Sequence, residues 1–169
     1  MSILPIIKAP DPLLRVKSKN ILEIGDSEIK LLNDMLDTMY AAPGVGLSAI
    51  QVGVPQRMIV VDTSRGNKIS NLKMINPEII WESEEIQLND EGCLSFPEQF
   101  VEVMRSKEIK VKYIDENKKT KLSNFSDFQA VIIQHEIDHL DGNLLIDKVS
   151  SIKKNIILRK MKKMKKNLA

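Results

Sequence analysis

The segment His135-Glu136-Ile137-Asp138-His139 restricts the fold more than any other, because its side chains converge only if the segment is helical. At 3.6 residues per turn, residues four apart are rotated by about 40° from each other. His135 and His139 therefore lie one above the other, where two imidazoles can reach the same cation. Glu136 lies about 100° around from His135, which suits proton transfer with a metal-bound water better than direct ligation.

The residues around this segment carry start and stop signals for one helix. Ser126-Asp127-Phe128-Gln129 has the Ser-x-x-Gln form of a capping box and opens the apolar run at 130–133. Asp141-Gly142 supplies a C-terminal stop. We therefore expect a helix that begins near Ser126 and continues to Leu140.

A second amphipathic helix and a block of strands are expected elsewhere in the chain. Residues 27–40 place apolar side chains at helical spacing behind Asp26 or Ser27 as N-cap, and Pro43-Gly44 ends that helix. Strand-forming stretches occur at 58–61, 72–76, 79–81, 86–88, 101–103 and 109–113. The predicted class is α+β, with antiparallel strands packed around the central helix that carries the His-Glu-x-x-His motif, and with a C-terminal helix.

Length and charge indicate one domain with a basic tail. The 169 residues divide into a main body at 1–150 and a basic, helical C-terminal tail of the same domain at 151–169. The tail has eight Lys/Arg and no Asp or Glu, whereas the body has 17 basic and 23 acidic residues. There is no secretion signal, no apolar run of the roughly 20 residues that span a membrane, and a single cysteine, so we expect a soluble cytoplasmic protein.

A catalytic metal site needs a third protein ligand, and the sequence offers Cys93. Such sites combine three protein ligands with one open position. No Glu or His follows His139, which disfavours the ligand set of the common zinc peptidases. Cys93 follows Gly92, which permits a tight backbone. Two alternatives stay open: Cys93 as a small buried hydrophobe, and a Cys-His protease, for which the sequence marks no orienting Asn or Asp.

A glycine-containing segment, Gly44 to Gly53, precedes the first strand. It lacks the third glycine and the Lys-Ser/Thr that a phosphate-binding loop requires. Gln51 within it carries an amide that can donate a hydrogen bond to a developing oxyanion. The alternative is a plain loop between helix and strand.

Three segments together resemble the motifs of the peptide deformylase family. They are Gly44 to Gln51, Glu91 to Ser95 and Gln134 to His139, in the family's order and at its spacings. The resemblance implies hydrolysis of the N-terminal formyl group of formyl-methionyl nascent polypeptides by a metal-bound hydroxide, with release of formate. Residues 1–150 would then be a catalytic metallohydrolase domain.

The resemblance also assigns roles to individual residues. The implied metal ligands are Cys93, His135 and His139. They would hold one Fe²⁺, which Zn²⁺, Ni²⁺ or Co²⁺ can replace. Glu136 is implied to be the general acid/base, while the Gln51 amide and the Leu94 backbone N–H stabilise the oxyanion.

Substrate contacts are expected on two segments. The peptide backbone would pair with Val45-Gly46 as an added strand. Phe128, Val131 and Ile132 precede His135 on the same helix and are candidates for the pocket of the first methionine. Ordinary core packing is the alternative for these three apolar side chains.

The chain departs from the family pattern at two positions. Ser48 replaces the usual Ala and adds a hydroxyl that needs a partner. Phe100 replaces an Arg that touches substrate in many relatives, which affects substrate preference at that end of the cleft. The resemblance further suggests an ion pair between Arg105 and Glu91.

The basic tail has its own functional interpretation. Family resemblance favours ribosome contact through a basic C-terminal helix, because anionic rRNA attracts cations. A terminal helix packed on the domain is the alternative. No DNA and no membrane partner is expected. A non-enzymatic RNA- or ribosome-binding protein with a structural metal, and a general metallopeptidase, are the competing functions.

Overall fold

Three α-helices and seven strands form the part of the chain that this computed structural model describes, residues 2–64 and 70–168. The helices are α1 (Asp26–Ala41), α2 (Asp127–Leu140) and α3 (Ser151–Leu168). The strands are β1 (Gly46–Ser48), β2 (Met58–Asp62), β3 (Asn71–Glu82), β4 (Ile86–Cys93), β5 (Phe96–Ser106), β6 (Glu108–Ile114) and β7 (Thr120–Ser126). Short 3₁₀ helices lie at Pro12–Arg15, Ala49–Val52 and Leu145–Lys148. Within the described ranges, none of the helices has the length and apolar character that a membrane crossing requires.

The helix α2 packs on the larger of two antiparallel sheets. That sheet has the order β1-β2-β3-β6-β7, with β1 at an edge. Buried side chains of its strands, among them Ile59, Met74 and Val111, form one cluster with Ile133 and Ile137 of α2. Ten of the fourteen α2 residues are buried, so the helix is central to the fold. The predicted α+β class, with antiparallel strands around the motif helix, is confirmed.

The smaller sheet, β4-β5, brings Cys93 to the core and supports the C-terminal helix. β4 ends at Cys93, and the chain turns back into β5 within two residues. Val101 and Val103 of β5 belong to one buried cluster with Ile157 and Met161 of α3. The predicted C-terminal helix is confirmed, although its last apolar residue, Leu168, is 80% exposed.

Two strand predictions are wrong in their bounds. The stretches 72–76 and 79–81 belong to the single strand β3, whose pairing shifts between Ile75 and Glu78. Asn76 has φ +52, and its carboxamide exchanges two 2.8 Å hydrogen bonds with the backbone of Ile21, which anchors the irregularity. The strand β7 was not predicted, because Phe125 is its only buried side chain and gives no alternating pattern.

The ends of the motif helix follow the prediction, but its start has a different cause. The Ser126 side chain makes no capping hydrogen bond, so the predicted capping box is wrong. Asp127 has φ +53 and its N–H donates to Lys107 O at 2.9 Å, so backbone contacts turn β7 into α2. α1 likewise follows Gly25, not Asp26 or Ser27, as its N-cap. At the predicted stop, Gly142 has φ +77, and a Cβ there would lie 2.5 Å from Arg15 O.

Candidate metal centre

Three metal-binding side chains converge where β4 ends against α2. The Nε2 atoms of His135 and His139 are 3.2 Å apart, and Cys93 Sγ lies 3.3 Å from His139 Nε2. The three potential ligand atoms all lie within 4.8 Å of one another. The i, i+4 spacing on α2 and the tight turn after β4 therefore bring together the residues that the sequence singled out.

The chemistry of this donor set fits a transition-metal ion. His135 Nδ1 lies 3.0 Å from Glu91 Oε1, and a proton on Nδ1 leaves the Nε2 lone pair facing the other two donors. A sulfur and two imidazole nitrogens suit Zn²⁺ or Fe²⁺ better than Mg²⁺ or Ca²⁺. Among the described residues, no fourth His, Cys, Asp or Glu joins the group, so a four-coordinate ion held here would keep one position for water or substrate.

Charged groups behind His135 fix its orientation. Arg105 donates to both oxygens of Glu91, at 2.5 and 2.9 Å, and also to Asp138 Oδ2 at 2.8 Å. Burial opposes ionisation of Glu91, but hydrogen bonds from His135 and Arg105 outweigh it and hold the pKa of Glu91 below its usual value. The expected pair between Arg105 and Glu91 is confirmed, and Asp138 extends it.

The two histidines differ in their electrostatics. Burial, followed by the charge of His135, lowers the pKa of His139 well below its ordinary value. Burial also acts against charge on His135, but hydrogen bonds to Cys93 and Glu91 raise its pKa well above the usual range. A bound cation would compete with the additional proton that these contacts favour on His135.

Glu136 is a buried carboxylate with an open hydrogen-bonding site. The residue is 4% exposed, and its Oε2 has no partner among the described residues. Burial raises the pKa of Glu136 to about 7. Gly46 of β1 provides the space beside it, since a Cβ there would lie 2.6 Å from Glu136 Oε1. A carboxyl that titrates near neutral pH can both accept and return a proton.

Gln51 lies next to the thiol and is held by two serines. Its Oε1 accepts from the backbone N–H and the hydroxyl of Ser48, at 2.9 and 3.0 Å. Its Nε2 donates to Ser95 Oγ at 3.0 Å and lies 3.6 Å from Cys93 Sγ. The extra hydroxyl of Ser48 thus has the partner it requires. Both hydrogens of the Gln51 amide are already engaged.

A cleft of about 850 Å³ opens onto Cys93, His135 and Glu136. Its lining includes Leu94 and Glu136. It also includes all the residues that the sequence analysis proposes for substrate contact, namely Val45, Gly46, Phe128, Val131 and Ile132. Phe100 lies on its rim, 65% exposed, and its ring covers Gly92. The residues that the sequence analysis proposes for substrate contact therefore lie along one cleft.

The model of the polypeptide deformylase family matches residues 3–155. The chain belongs to this family. Its relatives include a peptide deformylase of Rickettsia typhi, 45% identical over 99% of both chains, and one of Bartonella quintana, 47% identical over 95% of this chain and 92% of the relative.

Solved structures of other family members have the same fold. The peptide deformylase of Ehrlichia chaffeensis has a TM-score of 0.94 at 34% identity, with 98% of each chain covered. Its complex with actinonin has a TM-score of 0.93 at 36% identity, covering 97% of this chain and 98% of that one. A deformylase from Legionella pneumophila has a TM-score of 0.91 at 37% identity, over 99% and 98% of the two chains.

Sequence reasoning missed two contributors to the deformylase site. Ser95 holds the Gln51 amide and donates to Ile7 O at 2.7 Å. The N-terminal apolar residues Ile3, Leu4 and Ile6 also line the cleft, a role that the sequence analysis does not assign to this run. The apolar character of that run at the surface of a small domain was the available signal.

Proposed function

We propose that this chain hydrolyses the N-terminal formyl group of formyl-methionyl nascent polypeptides and releases formate. The observation that carries the proposal is the convergence of Cys93, His135 and His139 beside the buried carboxylate of Glu136, at the base of one cleft. Membership of the polypeptide deformylase family supports this substrate.

We assign one metal ion to this site, held by Cys93, His135 and His139. A bound divalent ion supplies Lewis-acid chemistry, which activates water at neutral pH and polarises the formyl carbonyl. We propose Fe²⁺ as the physiological ion, in accord with the family resemblance and with a mixed sulfur and nitrogen donor set. Zn²⁺, Ni²⁺ and Co²⁺ are expected to occupy the same position.

Glu136 is proposed to move the proton. Its unpartnered Oε2 takes up a proton from the attacking water, and the same carboxyl then protonates the leaving amine nitrogen. A pKa of about 7 suits both halves of this cycle near neutral pH. The two transfers leave Glu136 in its starting state.

Two donors are proposed for the developing oxyanion, the Gln51 amide and the Leu94 backbone N–H. Gln51 Nε2 is held by Ser95 and directed towards the Cys93 sulfur, so its position is fixed before substrate binds. A donor whose position is fixed in this way stabilises developing charge at a small reorganisation cost. Gln51 would exchange its contact with Cys93 for one with the oxyanion.

The peptide is proposed to bind along the free edge of β1. β1 ends the larger sheet, so a peptide strand could be added along its outer edge at Gly46, whereas Val45 O already accepts from the Asp62 N–H at 2.8 Å. The methionine side chain would contact Phe128, Val131 and Ile132. Ile132 also belongs to the core cluster with β2 and β6, so it has a structural role as well.

We further propose that α3 contacts the ribosome in the cytoplasm. Its eight Lys/Arg side chains lie on a helix that is attached through the buried residues Ile157 and Met161. Anionic rRNA would attract this surface, with strong salt dependence. Replacing the four lysines at 160, 162, 163 and 165 by Gln should reduce the amount of protein that co-sediments with ribosomes at low salt. Unchanged co-sedimentation would contradict this proposal.

Formate release from formyl-Met-Ala-Ser, measured beside amine release from unformylated Met-Ala-Ser, tests the main proposal. We expect formate from the first peptide and no cleavage of the second. Glu136→Gln should keep the metal and lose at least about 100-fold in kcat, whereas Cys93→Ala should lose the metal. Cleavage of the unformylated peptide would instead indicate a general metallopeptidase. Metal binding without turnover of either peptide would indicate a structural metal site.

A further inference from the structure

A second concavity, of about 640 Å³, lies where α2 ends. Its walls come from residues 17–20, from the irregular part of β3 at 76–78, from the end of β6 and from Asp141. None of the residues that line it also lines the metal cleft. It is therefore a separate site, for which the proposed deformylation has no use.

Three cationic side chains face this second concavity: Lys17, Arg57 and Lys112. Arg57 Nη1 donates to Asp141 Oδ1 at 2.8 Å and to Leu140 O at 3.2 Å, so its guanidinium is fixed and the charge of Asp141 is matched. Among the described residues, neither lysine has a carboxylate within ion-pair distance. Glu78 is the other carboxylate of the lining, so the concavity carries an excess of one positive charge.

Ser18 supplies an independent sign of a ligand. The residue lines the second concavity and is 3% exposed, and its buried Oγ has no hydrogen-bond partner among the described residues. The Ser18 backbone is fixed by an N–H···O bond to Leu140 at 2.8 Å. A buried hydroxyl without a partner is unfavourable and uncommon in native proteins, and it commonly marks a site for an absent water, ion or ligand.

We propose that the second concavity binds inorganic phosphate or a small phosphate monoester. Phosphate matches the net positive charge of the concavity, where two ammonium groups and one hydroxyl can donate to its oxygens beside the preoriented Arg57, while Glu78 lies opposite Lys112 across β3 and β6. The lining also includes the polar side chains of Asn20 and Thr120. An apolar ligand would find few apolar contacts there, and a cation would meet three positive side chains.

The test is a titration of ¹⁵N-labelled, zinc-loaded full-length protein with inorganic phosphate at constant ionic strength. We expect saturable amide shifts at 17–20, 57 and 112–114. Lys112→Gln should weaken binding about tenfold, whereas Lys110→Gln should not, since Lys110 lies two residues earlier on β6 and outside the concavity. Ser18→Ala should keep or raise Tm without phosphate and reduce the stabilisation that phosphate produces.

A second titration arm uses a short RNA hairpin as a source of phosphodiester groups. Shifts with phosphate that are lost only in Lys112→Gln and Ser18→Ala support the proposal. Equal weakening in Lys110→Gln and Lys112→Gln, or shifts confined to 151–166, would overturn it in favour of general attraction to a basic surface. Shifts at 17–20 with RNA but none with phosphate would also overturn it.

Discussion

Gly46→Ala is expected to disable the site by pushing Glu136 out of place. The added Cβ would lie 2.6 Å from Glu136 Oε1 and 3.0 Å from its Cγ and Cδ, against ordinary contacts of at least 3.4 Å. The carboxylate must therefore move by about 0.8 Å. A misplacement of about 1 Å costs on the order of 100-fold in rate, so we expect kcat to fall by roughly 30- to 100-fold. Overpacking should also lower the free energy of unfolding by about 1–3 kcal/mol.

The assay is formate release by metal-loaded Gly46→Ala, with metal content and urea unfolding measured on the same sample. A matched cycle with Glu136→Asp isolates the steric contact, because the shorter side chain leaves room for the new methyl group. In the Glu136→Asp protein, the decrease in the free energy of unfolding caused by Gly46→Ala should be smaller than in the wild type by at least about 1 kcal/mol. Wild-type kcat, or equal stability losses in both backgrounds, would refute the assigned contact.

Three further changes test the network around the site and the attachment of the tail. Arg105→Met removes the guanidinium partner of the buried Glu91 carboxylate, which keeps its contact with His135, so urea unfolding should show a loss of about 3–5 kcal/mol and chelator competition a 10- to 100-fold weaker metal affinity; a stable variant with full affinity would contradict this role. Burial opposes ionisation of Asp147, but hydrogen bonds from Arg15 and the Leu144 N–H lower its pKa to about 2. Its contribution is therefore present in full above pH 3.8 and lost as the pH falls through 2. Asp147→Asn should cost about 1–2 kcal/mol at pH 7, after allowance for solvent screening, and well under about 1 kcal/mol at pH 2, where the carboxyl is half protonated; a pH-independent difference would argue against it. Metal removal by a chelator should abolish formate release and lower Tm, both restored by Zn²⁺, whereas an unchanged Tm would speak against the ligand assignment.

The convergence of the three proposed metal ligands was predictable from sequence because local geometry determines most of the site. Two histidines four residues apart on a helix share a face whatever surrounds them. Cys93 was harder to assign, since its 3.3 Å approach to His139 depends on how β4 packs against α2. Cys93 could still be proposed as the third ligand, because the chain has no other cysteine and no other histidine.

Features that depend on tertiary contacts were not predictable. The strand β7 owes its place to pairing with β6, since its own sequence has one buried side chain. The start of α2 depends on a bond from the Asp127 N–H to Lys107 O, which a local capping pattern cannot reveal. The engagement of Gln51 by Ser95 likewise joins residues 44 positions apart.

X-ray absorption at the zinc edge of the zinc-loaded protein tests the ligand set most directly. We expect one sulfur at about 2.3 Å and nitrogen or oxygen neighbours at about 2.0–2.1 Å, with two imidazole signatures and one water. Cys93→Ser should remove the sulfur signal. A wild-type spectrum without sulfur, or with four protein ligands around the zinc, would contradict the proposed centre and the hydrolysis built on it.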